Sequence, residues 1–253
     1  APTGPVYLSE SETKRATCVG WKLYSVDAAT RTRKLVRKGA GTSCTYTNEN
    51  GLWHELGWQW KVEYRVTVTT DGNGTASVEP EWVETGKRVC VTVTPDNGYA
   101  FGKWTAGAPA DHDKDPSLTF TVLDQAYDFT ASFLPVVYVN PEGDDTNDGK
   151  SPATAFQTIK KALESESPVC ALLADGTYEV TEQIVIDNGS TVAGATPGAK
   201  AVVKLMTPLG SAGAEGSVFK LAHADAQLRN VTVTTDFDRG DSNKNKGFGR
   251  GVW

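Results

Sequence analysis

The chain has 253 residues, more than one typical domain, and its 39% hydrophobic content suits packed cores rather than disorder. Abundant Gly, Thr and Val against a single Met point to strands and turns. No apolar run approaches the roughly 20 residues of a membrane-spanning helix. The net charge of −6 divides into +4 over residues 1–62 and −10 over residues 63–253. The acidic remainder argues against nucleic acid, and the basic part suits acidic glycans or wall polymers, or simply a solvated surface.

The start at Ala1-Pro2-Thr3 is what a mature export product looks like after its leader is removed. Residues 1–62 read as a small aromatic-rich β-module. Two strand-like runs, Cys18 to Tyr24 and Thr42 to Thr47, flank the basic stretch Arg31 to Lys38 and the turn signal Gly39-Ala40-Gly41. A third run, Leu56 to Tyr64, places Trp58, Trp60, Val62 and Tyr64 on one face if it is a strand. Trp21, Trp58 and Trp60 are candidates for stacking on sugar rings. Large aromatics with this period are equally what a small module uses to build a core.

The four cysteines carry no CxxC and no histidine at metal-ligand spacing, which argues against a zinc site. Cys18 and Cys44 lie in short β-like runs, where a cross-strand disulfide would suit an oxidising location. Cys90 and Cys170 read as small buried hydrophobes.

Residues 63–134 form a second module. Tyr64 to Thr70 alternates as a half-buried strand, Asp71-Gly72-Asn73-Gly74 is a hairpin turn, and Thr75 to Pro80 returns. Val89 to Pro95, Leu118 to Val122 and Asp128 to Phe133 continue the strand set, with a turn at Asp96 to Tyr99. The order of a Val-Thr-Val-Thr-Pro strand, then Asn97-Gly98-Tyr99-Ala100-Phe101-Gly102-Lys103-Trp104, then Phe129-Thr130-Ala131-Ser132-Phe133, resembles the divergent internalin B-repeat family of bacterial surface proteins. The resemblance implies a spacer and presentation module without catalytic residues, in a secreted or surface-displayed bacterial protein. The run Asp111-His112-Asp113-Lys114-Asp115 reads as a solvated hairpin tip.

Residues 135–253 open with the strand Val136 to Asn140 and an acidic loop, Glu142 to Gly149. Its Asp144, Asp145, Asn147 and Asp148 are the best candidates for a bound cation, since packed oxygen ligands suit calcium; an ordinary Asp/Asn turn has the same composition. Phe156, Ile159 and Leu163 at i, i+3 and i+7 predict a helix over 155–163, with Thr154 and Gln157 as a capping box and Thr158 as a rival cap. Short apolar strands follow at Val169 to Leu173, Gln183 to Ile186, Ser190 to Val192, Ala201 to Leu205, Ser217 to Leu221 and Leu228 to Val233, with turns at Asp175 to Tyr178 and Asp187 to Ser190.

Such short strands bury one another when stacked in coils. Tyr138-Val139-Asn140-Pro141, Asn147 to Pro152, Phe156 to Leu163 and Leu173 to Tyr178 resemble the start of a pectate-lyase-like right-handed parallel β-helix. That resemblance implies a mainly β chain: small β-modules, then the helix-capped first coils of a truncated β-helix. The middle coils that carry chemistry in that family lie beyond it, so no catalytic residue is assigned. The nearest candidates are Arg239 or Arg250 beside Asp236, Asp238 and Asp241.

The expected role is non-catalytic: adhesion, glycan contact or presentation by a secreted or surface protein. The first alternative is the N-terminal part of a polysaccharide-cleaving lyase or glycoside hydrolase. The second is a stalk subunit that self-associates through an open β-helix end. No cofactor is called for unless calcium occupies the acidic loop, and the partners expected are glycans or other cell-surface polymers.

Overall fold

A computed structural model describes residues 2–47, 53–79, 81–195, 198, 200–206 and 217–235. The protein is mainly β. In chain order the strands are β1 (Val6–Tyr7), β2 (Lys14–Val26), β3 (Arg33–Ala40), β4 (Trp53–Thr70), β5 (Gly74–Val78), β6 (Trp82–Glu84), β7 (Arg88–Pro95), β8 (Tyr99–Ala106), β9 (Ser117–Thr121) and β10 (Tyr127–Val139). A 3-10 turn (Pro152–Thr154) and the helix α1 (Ile159–Ser165) follow. The last strands are β11 (Cys170–Leu173), β12 (Gly176–Val180), β13 (Ile184–Ile186), β14 (Thr191–Gly194), β15 (Ala201–Leu205), β16 (Phe219–Leu221), β17 (Gln227–Arg229) and β18 (Thr232–Thr235).

Two long strands run through both expected module boundaries. β4 pairs antiparallel with β2 over residues 53–64, with β6 over 63–65, and parallel with β10 over 66–70. β10 pairs with β4 and β8 over its first nine residues, and its last four, Val136 to Val139, pair parallel with β11. One sheet therefore continues along β1-β2-β4-β10-β11-β14-β17.

The central module is a two-layer sandwich. The sheet β5-β7-β9 lays Val89, Val91 and Leu118 against Val66, Phe101, Trp104, Phe129 and Phe133. Trp104 is the hub: its ring packs edge-on to Phe129 at 5.7 Å, and its Nε1 donates to the Asp115 carbonyl at 2.7 Å. The segment around it is a strand, β8, whose register shift at Gly102 lets Phe101 and Trp104, three residues apart, both enter the core. Cys90 breaks its expectation; it is exposed, on the solvent face of β7 between the buried Val89 and Val91.

The third module contains three parallel pairings that repeat. Val136–Val139, Cys170–Leu173, Thr191–Gly194 and Gln227–Arg229 form one ladder; Gly176–Val180, Ala201–Leu205 and Thr232–Thr235 a second; Ile184–Ile186 and Phe219–Leu221 a third. Inside lie Val137, Val139, Ala171, Leu173, Ile186, Val203 and Phe219. The residues between them in the first ladder, including Val136, Cys170 and Ala193, are buried too, against Leu134 and Ala100 of the central module. A strand covered on both faces reads as a continuous apolar run, which is why Val169-Cys170-Ala171-Leu172-Leu173 shows no alternation.

The predicted helix begins later than its periodicity suggests. Thr158 is its N-cap and accepts from the Lys161 amide at 3.2 Å, while Phe156 sits before it, bridged to Val139 and buried. Gly149, at φ +67°, must be glycine because a Cβ there would lie 2.3 Å from the Phe156 ring. Asp175 to Tyr178, expected as a turn, instead leads into β12, where Tyr178 turns inward and donates to the carbonyls of Val139 and Ala174. The predicted strand from Leu228 to Val233 is broken in two at Asn230, which takes a positive φ of 52°.

Candidate functional site

The first module is a single sheet layer, and its pairing register sorts every side chain to one of two faces. On face A lie Ala16, Cys18, Trp21 and Leu23 of β2, opposite Val62, Trp60, Trp58 and Leu56 of β4. A bulge at Val19 keeps both series on that face. Trp58 and Trp60 share this face, as their spacing predicts, and the register adds Trp21 to it, but the three are not equivalent. Trp21 is 6% exposed, lies flat against Gly39, where a Cβ would approach its ring to 2.4 Å, and carries the Arg37 guanidinium 5.1 Å from its centroid. Its Nε1 has no hydrogen-bond partner among the described residues. Trp58 is half-buried, and Trp60, 43% exposed, is the only one of the three well open to a ligand.

Gly39 and the Arg37 guanidinium of β3 are the groups that lie against Trp21, and the chain that follows β3 is tied to the same face. Gly41 accepts a long contact from the Cys18 thiol, Arg37 donates to the Thr45 carbonyl at 3.1 Å, and Tyr46 bonds the His54 ring. Residues 42–47, expected as a strand, are irregular, and the basic stretch itself supplies β3. The reason is that, among the described residues, β3 pairs only with β2 and is an edge strand, where a run of Lys and Arg discourages further pairing. All four cysteines are free thiols, so the Cys18–Cys44 disulfide is not formed. Cys18 is buried on β2 and contacts the Gly20 and Gly41 carbonyls, whereas Cys44 lies in the irregular segment.

Face B is the open one. Its successive rows across β3, β2 and β4 are Arg33–Val26–Trp53, Leu35–Tyr24–Glu55, Lys38–Lys22–Gly57 and Ala40–Gly20–Gln59, continued by Thr17–Lys61 and Arg15–Glu63 on β2 and β4. Trp53 is 57% exposed and Leu35 47%. Arg33 stacks over Tyr24 at 4.5 Å and reaches Glu55 at 2.6 Å; Arg31 stacks over Trp53 at 5.2 Å. Glu63 is held by Arg15 at 2.9 Å and Lys61 at 2.8 Å. Burial pushes the Glu63 carboxyl up, but the bonds from Lys61 and Arg15 outweigh it and hold it below the usual range.

The acidic loop spends its carboxylates on the backbone. Asp144 accepts from the amide and hydroxyl of Thr146, Asp148 from the Lys150 amide, and Asp145 from the amides of Gln157 and Thr158 and the Thr158 hydroxyl. Asn147 donates to the Ala155 carbonyl. These bonds hold the carboxyls of Asp144 and Asp148 below their ordinary range, by the Thr146 amide for the former and chiefly by the Thr154 hydroxyl for the latter. Among the described residues no group of three or more His, Cys, Asp or Glu side chains is placed to hold a metal ion. The candidates Asp236, Asp238, Arg239, Asp241 and Arg250, with the expected open end, lie outside the described residues.

Between α1 and the edges of β12 and β13 runs a groove of about 800 Å³, lined by Leu163, Tyr178, Glu179, Glu182, Ile184 and Asp187 among others. Glu182 is tied across it to Lys160 at 2.7 Å. The central module docks on the parallel ladder through polar contacts that the sequence did not announce. Lys103 pairs with Asp225 at 2.5 Å, Gln227 donates to the Gly102 carbonyl at 3.1 Å, and Arg229 donates to the Lys114 carbonyl at 3.1 Å. No helix among the described residues is long and apolar enough to cross a membrane.

The family model described as "Divergent InlB B-repeat domain" matches residues 64–137, the sandwich together with the first part of β10 that leaves it. No curated protein and no solved structure matches the chain.

Proposed function

We propose that this chain is a presenting segment of a secreted or surface-displayed bacterial protein, and that its role is non-catalytic contact with extracellular glycans. In this reading the B-repeat-like sandwich is a rigid bracket rather than a flexible spacer. It holds the basic first module at one end and the helix-capped first coils of a right-handed parallel β-helix at the other. The observation that carries it is the sheet that passes without a linker from β2 through β4 and β10 into β11. Contacts such as Gln227 to Gly102, buried between modules, support the same rigidity.

The β-helix reading is supported by three parallel ladders that recur in the same order, each strand paired to its counterpart in the next repeat. Parallel crossovers are right-handed in about 98% of cases. The B-repeat match supports a surface location, because such repeats occur typically in bacterial surface proteins.

A polysaccharide-cleaving role is the second reading, favoured by the groove beside α1 with Glu179, Glu182 and Asp187. One experiment separates the two. The purified chain is incubated with immobilised alginate, chondroitin and neutral dextran, and both retention and new reducing ends are measured. Retention without cleavage supports the presenting role. Turnover that survives repurification and vanishes in Glu179→Gln overturns it.

A further inference from the structure

On face B, Lys22 and Lys38 stand directly opposite one another on adjacent strands. Like charges so placed destabilise a sheet, and a carboxylate beside them would relieve it. The third member of their row is Gly57. Glu55 in the adjacent row is engaged by Arg33, and Glu63, three rows away, by Arg15 and Lys61. Among the described residues the repulsion is therefore left uncompensated.

The surroundings of that row have a consistent shape. On one side lies the exposed Ala40, which with Gly57, where a side chain would meet nothing closer than 3.9 Å, makes a low floor beside the two lysines. On the other side Tyr24, Leu35 and Trp53 form an exposed apolar and aromatic shelf, with the guanidinium groups of Arg31 and Arg33 lying on its rings. Directly opposed side chains in a sheet are about 5 Å apart and rows on one face about 7 Å apart, so cations and rings alternate along an extended strip. Planar rings cover the apolar faces of sugars, and paired ammonium groups meet anions.

We propose that face B of the first module binds an acidic polysaccharide, its rings over Tyr24 and Trp53 and its anionic groups on Lys22 and Lys38. This rests on the glycan-contact reading above and names both the face and the ligand class. The rest of the chain is acidic, which favours engagement of a polyanion at this module alone.

The test uses the whole chain with alginate, whose only charges are carboxylates, neutral dextran, and a single-stranded oligothymidylate, by titration calorimetry at low and high salt. Alginate should bind and dextran should not, with affinity falling as salt rises. Two exposed charge contacts of ordinary strength together amount to about tenfold in Kd, so K22Q/K38Q should lose about that factor. Its melting midpoint should be unchanged or higher, because repulsion is removed. Gln59→Lys, which adds a third cation beside Gly20, should bind more tightly, and Trp60→Ala on face A should bind normally. Alginate binding that ignores K22Q/K38Q and Q59K but is lost in Trp60→Ala overturns this face while leaving glycan contact standing. Oligothymidylate bound as tightly as alginate overturns the ligand class. Binding to neither alginate nor dextran overturns both this inference and the glycan-contact reading.

Discussion

Leu173→Ala is the sharpest probe of the parallel stack. Leu173 is fully buried in β11, between Val139 of β10 and Gly194 of β14 in the same ladder. Leu→Ala costs about 3–5 kcal/mol in a core, more where the site cannot collapse. Here the ladder fixes the backbone on both sides, and Gly194 offers no side chain to fill the gap, so the loss belongs in the upper half, about 4 kcal/mol. With a urea slope of about 2 kcal/mol per molar, the unfolding midpoint should fall by about 2 M. The control is Val185→Ala. Val185 is 43% exposed between the buried Ile184 and Ile186, and its truncation should cost within about 0.5 kcal/mol. Urea unfolding followed by far-ultraviolet circular dichroism measures both. Equal small losses at the two positions would refute the packed interior and with it the stack.

Alkylation of the native protein at mildly alkaline pH should label Cys90 first, since it is exposed and the Ser117 hydroxyl holds its thiol below the usual range. Cys170, pushed up to about 11 by burial, should react only on unfolding; early labelling there would mean the docked face opens. The His112 ring should titrate by NMR above an ordinary histidine, because Asp115 bonds it and Asp111 lies close. Its raised pKa means the loop's extra stability is present below about pH 6.5 and lost as pH rises through the folded value, and Asp115→Asn should shrink the shift to the part that Asp111 supplies. Calcium and chelator should give the same melting curve, because the loop carboxylates already cap backbone amides; a rise of several degrees with calcium would assign Asp144, Asp145 and Asp148 to a metal after all.

The parts of the fold that were legible in the sequence are those where one face is wet. Tyr64 to Thr70 and Val89 to Pro95 alternate because β4 and β7 each bury only one side there; the bounds of β7 are legible to within a residue, whereas β4 begins at Trp53, well before the run from Tyr64. Periodicity failed where packing is two-sided or absent. Phe156 matched a helical stripe, yet it is a core residue that precedes the helix. β3 was read as a basic stretch because an exposed edge strand has no buried face to leave a signature. Trp58 and Trp60 follow a true alternation, but that Trp21 is covered and Trp53 exposed depends on where β3 lays Gly39 and Arg37. Face B was invisible for the same reason. Lys22 and Lys38 are 16 positions apart, and only the register of two antiparallel strands makes them neighbours.

The claim on which the account depends is that the bracket is rigid through β10. Native-state hydrogen exchange over Tyr127 to Val139 tests it directly. These amides should share one opening free energy, close to that of global unfolding, because the two halves of the strand belong to one cooperative unit. Two separate plateaus, with fast exchange at Leu134 and Val136 between them, would contradict the account and make the central module a hinge.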